Sequence, residues 1–301
     1  MFVFKDDKIY LLCAMDNSPN IQKIISLDLP ELQPYRTLRR PLEHIKQRIF
    51  VAEGKKVVRR LLESNLTIVS MLMTPEWHEQ LFQSESRTSV NGSSHSQSTG
   101  NRITIFIANK NLLESIVGFN LHQGTMAVAK VPQERSLDEV IQSIPKPHLL
   151  VALDGLVNAE NVGVVVRNCA GFGVDGIIVG ETSSSPYLRR AVRNSMGAVF
   201  KIPVVHCSNL VESLSTIKNQ HNTKVVAAHL QEQFSIHSVD LSGNICIVLG
   251  NEGDGISKNV LQVCDMHVTI PMMNGTDSLN VGSASAVFLY EARKQRINST
   301  R

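Results

Sequence analysis

The sequence predicts an α/β protein, with an open parallel sheet in its C-terminal half and a smaller α/β domain ahead of it. Three observations point that way. Five short, nearly all-apolar runs, LLVAL (149–153), GIIVG (176–180), KVVAAHL (224–230), ICIVLG (245–250) and MHVTIP (266–271), alternate with stretches of helical character. Continuous apolar runs of this length mark strands buried on both faces, and strands alternating with helices form a parallel sheet covered on both sides. A length of 301 residues suggests two domains at roughly 150 residues each. The upstream part has its own β-rich runs, TIVSMLMT (67–74) and ITIFIA (103–108), and a helical signal between 41 and 64.

Residues 1–34 hold Pro19, Pro30 and Pro34 without a clear period and read as an N-terminal extension with room for one short hairpin. The first domain is expected over 35–132. Within it Pro41 to Ser64 reads as one or two helices, because Val57, Val58, Leu61 and Leu62 recur at helical spacing, flanked by Lys55, Lys56, Arg59 and Arg60. Residues 84–101, SESRTSVNGSSHSQSTGN, offer almost nothing to bury and are expected to be a flexible insertion. HQGTMAVAKVP (122–132) closes the domain with a strand, and 133–147, with Pro145 and Pro147, reads as a linker. The parallel-sheet domain follows over 148–301.

Composition narrows the function classes. A net charge of +3 permits nucleic-acid binding without demanding it. Cys13, Cys169, Cys207, Cys246 and Cys264 form no C-x-x-C pair and no zinc-finger spacing. An odd, scattered set points to free thiols, a reducing compartment and no metal site. Cys169 and Cys246 sit in apolar runs and read as small buried hydrophobes. No apolar run approaches the ~20 residues of a membrane span. The first residues, with two early acids and no basic stretch, make a poor signal peptide. A cytoplasmic location is therefore expected.

Ligands of parallel sheets bind beyond the carboxyl ends of the strands, which directs attention to three loops. In LDGLVNAENVGVVVRNCAGFG (153–173) a strand passes into a helix for which Asn161 is a candidate cap. Val162, Val165, Val166, Cys169 and Ala170 form its buried stripe, and Arg167 falls off that stripe, as either a solvated or a functional residue. Gly163 inside the helix costs ~1 kcal/mol relative to alanine. Close approach of another backbone or of a substrate is the expected compensation. The G-x-G-x-x-G match at 171–176 ends a helix and precedes a strand, the reverse of a dinucleotide site, so Gly171 or Gly173 reads as a helix C-cap.

The second loop, VLGNEGDGIS (248–257), runs from a strand into a glycine-dense turn, with no Gly-Lys-Ser/Thr to make it a P-loop. Such a turn either simply reverses the chain or lets backbone approach a ligand closely, with Glu252 as the charged group. The third, IPMMNGTDSLNVGSASAVFLYEARKQR (270–296), is strand, loop and helix. Ser278 and Asn280 flank the helix start, where Ser278 is either a functional group or a simple cap, and the small residues from Gly282 to Ala286 permit tight packing or a subunit contact.

NVGVVVRN, LGNEGDG and IPMMNGTDSLNV, in this order and spacing, resemble the three signature motifs of the SPOUT superfamily, in its SpoU/TrmH type of RNA 2′-O-ribose methyltransferases. The resemblance covers about 149–296. RIFVAEGKKVVRRLLES (48–64) and HQGTMAVAKVP (122–132) are similar to the L30e-like substrate-binding domain often found ahead of it. The resemblance implies a deep C-terminal trefoil knot, a homodimer whose active site is completed across the interface, and S-adenosyl-L-methionine in the knotted loops. It implies Asn161, Arg167, Glu252, Ser278 and Asn280 as the polar catalytic set, and Gly250, Asn251, Ile270 and Leu279 as cofactor-binding positions. Departures are Glu160 where the family has a turn residue, Asn168 where threonine often follows the arginine, and Gly282-Ser283-Ala284 where Ser-Val-Ala is common.

The implied reaction is methyl transfer to a ribose 2′-hydroxyl of RNA, ribosomal RNA before transfer RNA. The alternatives are methylation of a base nitrogen and a non-catalytic RNA-binding role. Deprotonating an ordinary arginine at neutral pH costs roughly 7 kcal/mol, so Arg167 is expected first as a phosphate anchor beside the target ribose. Arg189, Arg190 and Arg193 on one helix after Pro186, and the basic residues around Lys55, are candidate RNA contacts or plain solvated faces.

Overall fold

A computed structural model of the chain describes residues 2–5, 8–11, 19–82, 103–117, 124–230, 234–273 and 278–299. The expected insertion at 84–101 lies outside them. The chain divides into two compact units, Met1–Val131 and Pro132–Arg301.

The first unit begins with an antiparallel hairpin of β1 (Phe2–Lys5) and β2 (Lys8–Leu11). There follow β3 (Asn20–Lys23), a 3-10 turn at Pro30–Leu32, α1 (Gln33–Arg36), α2 (Pro41–Lys46), β4 (Ile49–Glu53), α3 (Lys55–Leu62), β5 (Ile68–Met73), α4 (Pro75–Phe82), β6 (Thr104–Ile107), α5 (Lys110–Val117) and β7 (Thr125–Lys130). Five strands form a mixed sheet in the order β3-β6-β5-β7-β4. Leu32, Tyr35, Val51, Leu72, Phe106, Leu113 and Met126 pack as its core. Two readings of the sequence are corrected here. The first 34 residues are not merely an extension, because β3 pairs with β6 and Ile24 and Leu32 enter the core. The helical reading of 41–64 overlooked β4, which pairs antiparallel with β7. Four of its five residues are buried without alternation, so no period-two pattern betrays it.

The second unit opens with α6 (Leu137–Ser143). It lies inside the stretch expected to be a linker. Ser136 and Glu139 cap it reciprocally, and Val140 and Ile141 anchor it in the core. Then come β8 (Leu149–Leu153), α7 (Ala159–Phe172), β9 (Gly176–Val179), α8 (Arg189–Asn194), β10 (Val204–His206), α9 (Leu210–His221), β11 (Lys224–Ala228), β12 (Phe234–Ser235), β13 (Ile245–Leu249), α10 (Lys258–Val263), β14 (Met266–Thr269) and α11 (Val281–Ser299). All seven strands are parallel, in the order β10-β9-β8-β13-β11-β14-β12. Each of the five apolar runs is a strand of this sheet. β8 and β13, side by side at its centre, are buried at every residue, and each leucine or valine so placed contributes roughly 1.5–3 kcal/mol. Cys169 and Cys246 lie in this core, where burial pushes their thiols up, away from thiolate chemistry.

The strand order sets the site. β8 is followed by β9 on one side, whereas β13 has β11 on its other side, so the loops leaving their carboxyl ends diverge and open a crevice. Gly173 ends α7 in the left-handed conformation, φ 76°, and so accounts for the glycine pattern at 171–176. Among the described residues, no helix is long and apolar enough to cross a membrane.

Candidate active site

Three loops meet at the carboxyl edge of this sheet. The first, between β8 and α7, is held by its neighbours. Asn251 Nδ2 donates to the Gly155 carbonyl at 2.7 Å, Ser257 N donates to Asp154 Oδ2 at 2.7 Å, and Ser183 Oγ accepts from Leu156 N at 3.1 Å. The loop ends at Asn158, whose Oδ1 accepts from Glu160 N and Asn161 N at 2.8 and 3.4 Å. Asn158 is therefore the helix cap, and Asn161, expected there, sits in the first turn with its side chain released for other contacts.

The second loop, after β13, is a tight turn closed by paired backbone bonds between Asn251 and Gly255. A Cβ on Gly250 would lie 2.4 Å from the Gly255 carbonyl carbon, so only glycine fits there. Asn251 Oδ1 accepts from Gly253 N and Asp254 N at 2.8 and 3.1 Å. Its amide is thus used at both ends to build the loops. At the third loop Asn280, rather than Ser278, caps α11, its Oδ1 accepting from Gly282 N at 2.9 Å.

The three loops are joined by side chains. Asn161 Nδ2 donates to Glu252 Oε1 at 2.5 Å, and Asn280 Nδ2 donates to Asn161 Oδ1 at 3.4 Å. Beside them lies a cavity of about 220 Å³. Its polar side is Asn251, Glu252, Ser278 and Asn280, and its apolar side is Leu249, Ile270, Leu279, Val281, Ala284 and Phe288. Gly250 and the chain leaving β11, Ala228 to Leu230, also line it. His229 and Leu230 were not singled out in the sequence; a histidine ending the apolar run KVVAAHL was the available signal.

Asn161, Glu252 and Asn280 thus meet in one hydrogen-bonded chain, and Gly250, Asn251, Ile270, Ser278 and Leu279 line the cavity beside it. Arg167 stands apart. It is exposed on α7, outside the cavity lining, and six residues beyond Asn161, about 9 Å along the helix axis.

The cavity fits S-adenosyl-L-methionine. Its apolar wall suits a flat adenine, its backbone-rich turn offers donors and acceptors to ribose and amino-acid groups, and the Glu252 carboxylate suits cationic groups. Gly250 packs directly on the Gly255 backbone, which holds this turn tight where it lines the cavity. Among the described residues, no group of three His, Cys, Asp or Glu could hold a metal.

Residues 148–290 match the SpoU rRNA Methylase family. The chain is 34% identical over 199 residues to the 23S rRNA (guanosine-2′-O-)-methyltransferase RlmB of Acinetobacter baylyi, covering 65% of this chain and 80% of that protein. It is 29% identical over 282 residues to an uncharacterized tRNA/rRNA methyltransferase of Mycobacterium bovis, covering 90% and 91%. Among solved structures, an RNA 2′-O ribose methyltransferase superposes with a TM-score of 0.71 at 26% identity, over 92% of this chain and 100% of that one. The SpoU methyltransferase AviRb from Streptomyces viridochromogenes shares the fold, with a TM-score of 0.73 at 23% identity over 89% and 97%. Three motif loops gathered at one edge of a parallel sheet, and these likenesses across both units, place the chain in the SpoU rRNA Methylase family of RNA methyltransferases.

Proposed function

We propose that this chain transfers a methyl group from S-adenosyl-L-methionine to a ribose 2′-hydroxyl of ribosomal RNA, in the compartment where that RNA is assembled, the cytoplasm. The observation that carries the reading is the Glu252–Asn161–Asn280 chain at the edge of a cavity lined in part by a glycine-rich turn. The relative at 34% identity is named for 2′-O-methylation of a guanosine in 23S rRNA, which favours ribose over base and ribosomal over transfer RNA.

The cofactor would lie between Gly250, Asn251, Ile270 and Leu279, and when bound it supplies an electrophilic methyl on a sulfonium. The chain's own residues do the rest. The apolar wall excludes water. Asn161 orients the Glu252 carboxylate, and Ser278 and Asn280 present hydroxyl and amide groups to the amino-acid end of the cofactor or to the target ribose. Holding the 2′-oxygen in line with the methyl is where most of the rate would arise.

Arg167 enters from a second copy of the chain. It lies on an outward face of α7, with Val164 (38% exposed) one turn before it and Val287 and Tyr290 exposed on the adjoining α11. An apolar face with an arginine on it suits a homodimer in which each copy completes the other's site. There the guanidinium anchors the phosphate beside the ribose, a contact worth about 4 kcal/mol at 4 Å and an effective dielectric of 20. Arg189, Arg190 and Arg193 on α8, with Lys55, Lys56, Arg59 and Arg60 on α3, are the proposed longer-range phosphate contacts.

The test is incubation of unmodified ribosomal and transfer RNA with methyl-labelled S-adenosyl-L-methionine, followed by digestion to nucleosides. Label in a 2′-O-methylnucleoside of ribosomal RNA is expected. Label in a base-methylated nucleoside, or in transfer RNA alone, would replace this reading with the corresponding alternative, and no label in any RNA would leave a binding role.

A further inference from the structure

The two helices that carry the proposed site are joined a second time, away from the cavity. Asn168 on α7 donates Nδ2 to the Gly282 carbonyl at 2.7 Å and to Ser285 Oγ at 2.9 Å, both in the first turns of α11. Ser285, wholly buried, donates to the same carbonyl at 2.7 Å. Gly282 in turn gives its N–H to Asn280 Oδ1. A Cβ on Gly282 would lie 2.6 Å from Val164 Cγ1 and 3.1 Å from Asn280 Oδ1, so backbone and asparagine are in close contact there.

These bonds form one continuous path: Asn168 holds Gly282, Gly282 holds Asn280, Asn280 holds Asn161, and Asn161 holds Glu252. The path leaves α7 at Asn168 and returns to it at Asn161, seven residues away on the same face of the helix, before it reaches Glu252. The Asn280–Asn161 bond is the longest in the path, at 3.4 Å. A small shift of α11 along α7 would break it first. Half-buried Asn168 fixes that shift.

We propose that Asn168 is a positioning residue for methyl transfer: by gripping the Gly282 carbonyl it sets the register of α11 on α7, and so aims the Asn280 amide at Asn161 and the cavity. This rests on the function proposed above. Asn168 touches no reactant in this account and acts only through Asn280.

The experiment uses the full chain labelled with 15N-asparagine. Asn168→Leu keeps the side-chain volume and removes the donor; Asn168→Asp keeps the shape and replaces the amide by a carboxyl group. Ser285→Ala is the control, since it loosens the same packing while leaving the Asn168–Gly282 bond. For both Asn168 variants we expect kcat on RNA to fall about tenfold with little change in KM, the pattern of an interaction needed in the transition state. The side-chain amide resonances of Asn161 and Asn280 should move as well. Ser285→Ala should lower the unfolding midpoint, yet keep kcat and those resonances. Wild-type kcat and resonances in Asn168→Leu would overturn the proposal, as would a kcat loss in Ser285→Ala in proportion to its lost stability. If the wild-type chain methylates no RNA, the function reading fails, while the resonances still decide whether Asn168 sets Asn280.

Discussion

At the residue scale, groups that face the cavity differ from groups that build its walls. Asn251 shows the difference. Sequence resemblance marks it as cofactor-binding, but its amide is bonded to Gly155, Gly253 and Asp254 and its backbone to Gly255, so its work is to shape the turn that lines the cavity. Motif letters disclose that a residue matters and not which of its atoms are already committed. Arg167 is the converse: the motif singles it out, yet within one copy of the chain it stands apart from the other four polar residues, and only the proposed second copy would bring it to a site. A planar guanidinium grips phosphate through two parallel bonds, which an ammonium cannot do. Arg167→Lys should therefore lower kcat/KM on RNA by roughly tenfold or more while leaving cofactor affinity and folding unchanged. Activity equal to wild type in steady-state methylation would remove any special role for the guanidinium.

At the element scale, α7 is set by what its glycines allow. A Cβ on Gly163 would lie 2.6 Å from the Ala191 carbonyl oxygen and 2.7 Å from Asn194 Cβ, so α8 lies directly against it. The sequence predicted a close approach there, by backbone or by substrate, and the partner is backbone. Helix propensity alone says Gly163→Ala should stabilise by ~1 kcal/mol. Overpacking against α8 reverses the sign, and we expect a loss of about 1–3 kcal/mol, read from urea unfolding. A gain in stability would mean that α7 and α8 are further apart than described. Five of the seven sheet strands of the second unit were legible because burial leaves an unbroken apolar run, whereas the edge strands β10 and β12, three and two residues long, are too short to show one. β4 was missed for the same physical reason: IFVAE is short, buried and without period, and it adjoins a strong helical signal in α3. The capped helix α6 was hidden by the prolines that follow it at 145 and 147.

At the scale of the whole molecule, the edge of the sheet opposite the cavity carries a pH liability. His148 is fully buried, bonded through Nε2 to Thr223 Oγ1 at 2.8 Å, while its Nδ1 has no hydrogen-bond partner among the described residues. Burial, aided by the nearby Lys146 and Arg296, lowers its pKa from 6.5 to about 4. The unfolded chain therefore takes up this proton from about pH 6.5 downward, and the folded chain only near pH 4. The stability tied to neutral His148 is complete above about pH 6.5 and is lost as the pH falls towards 4, by up to about 3 kcal/mol. Urea titrations at a series of pH values should show this slope, and His148→Gln should flatten it. An unchanged slope in His148→Gln would assign the acid sensitivity to other groups.

The central claim is that one cavity, at the carboxyl ends of β11, β13 and β14, is the methyl-donor site. Ala284 lines it without belonging to the polar set, and a leucine there should fill space without breaking the Glu252–Asn161–Asn280 chain. The most direct measurement is calorimetric titration of S-adenosyl-L-methionine into the full chain and into Ala284→Leu, with thermal unfolding of both recorded. Saturable binding to the wild type is expected, with affinity lowered at least about tenfold in the variant, a loss of roughly 1.4 kcal/mol, and the unfolding temperature kept. A wild-type chain that takes up no cofactor, or a well-folded Ala284→Leu that binds it as tightly as the wild type, would contradict it.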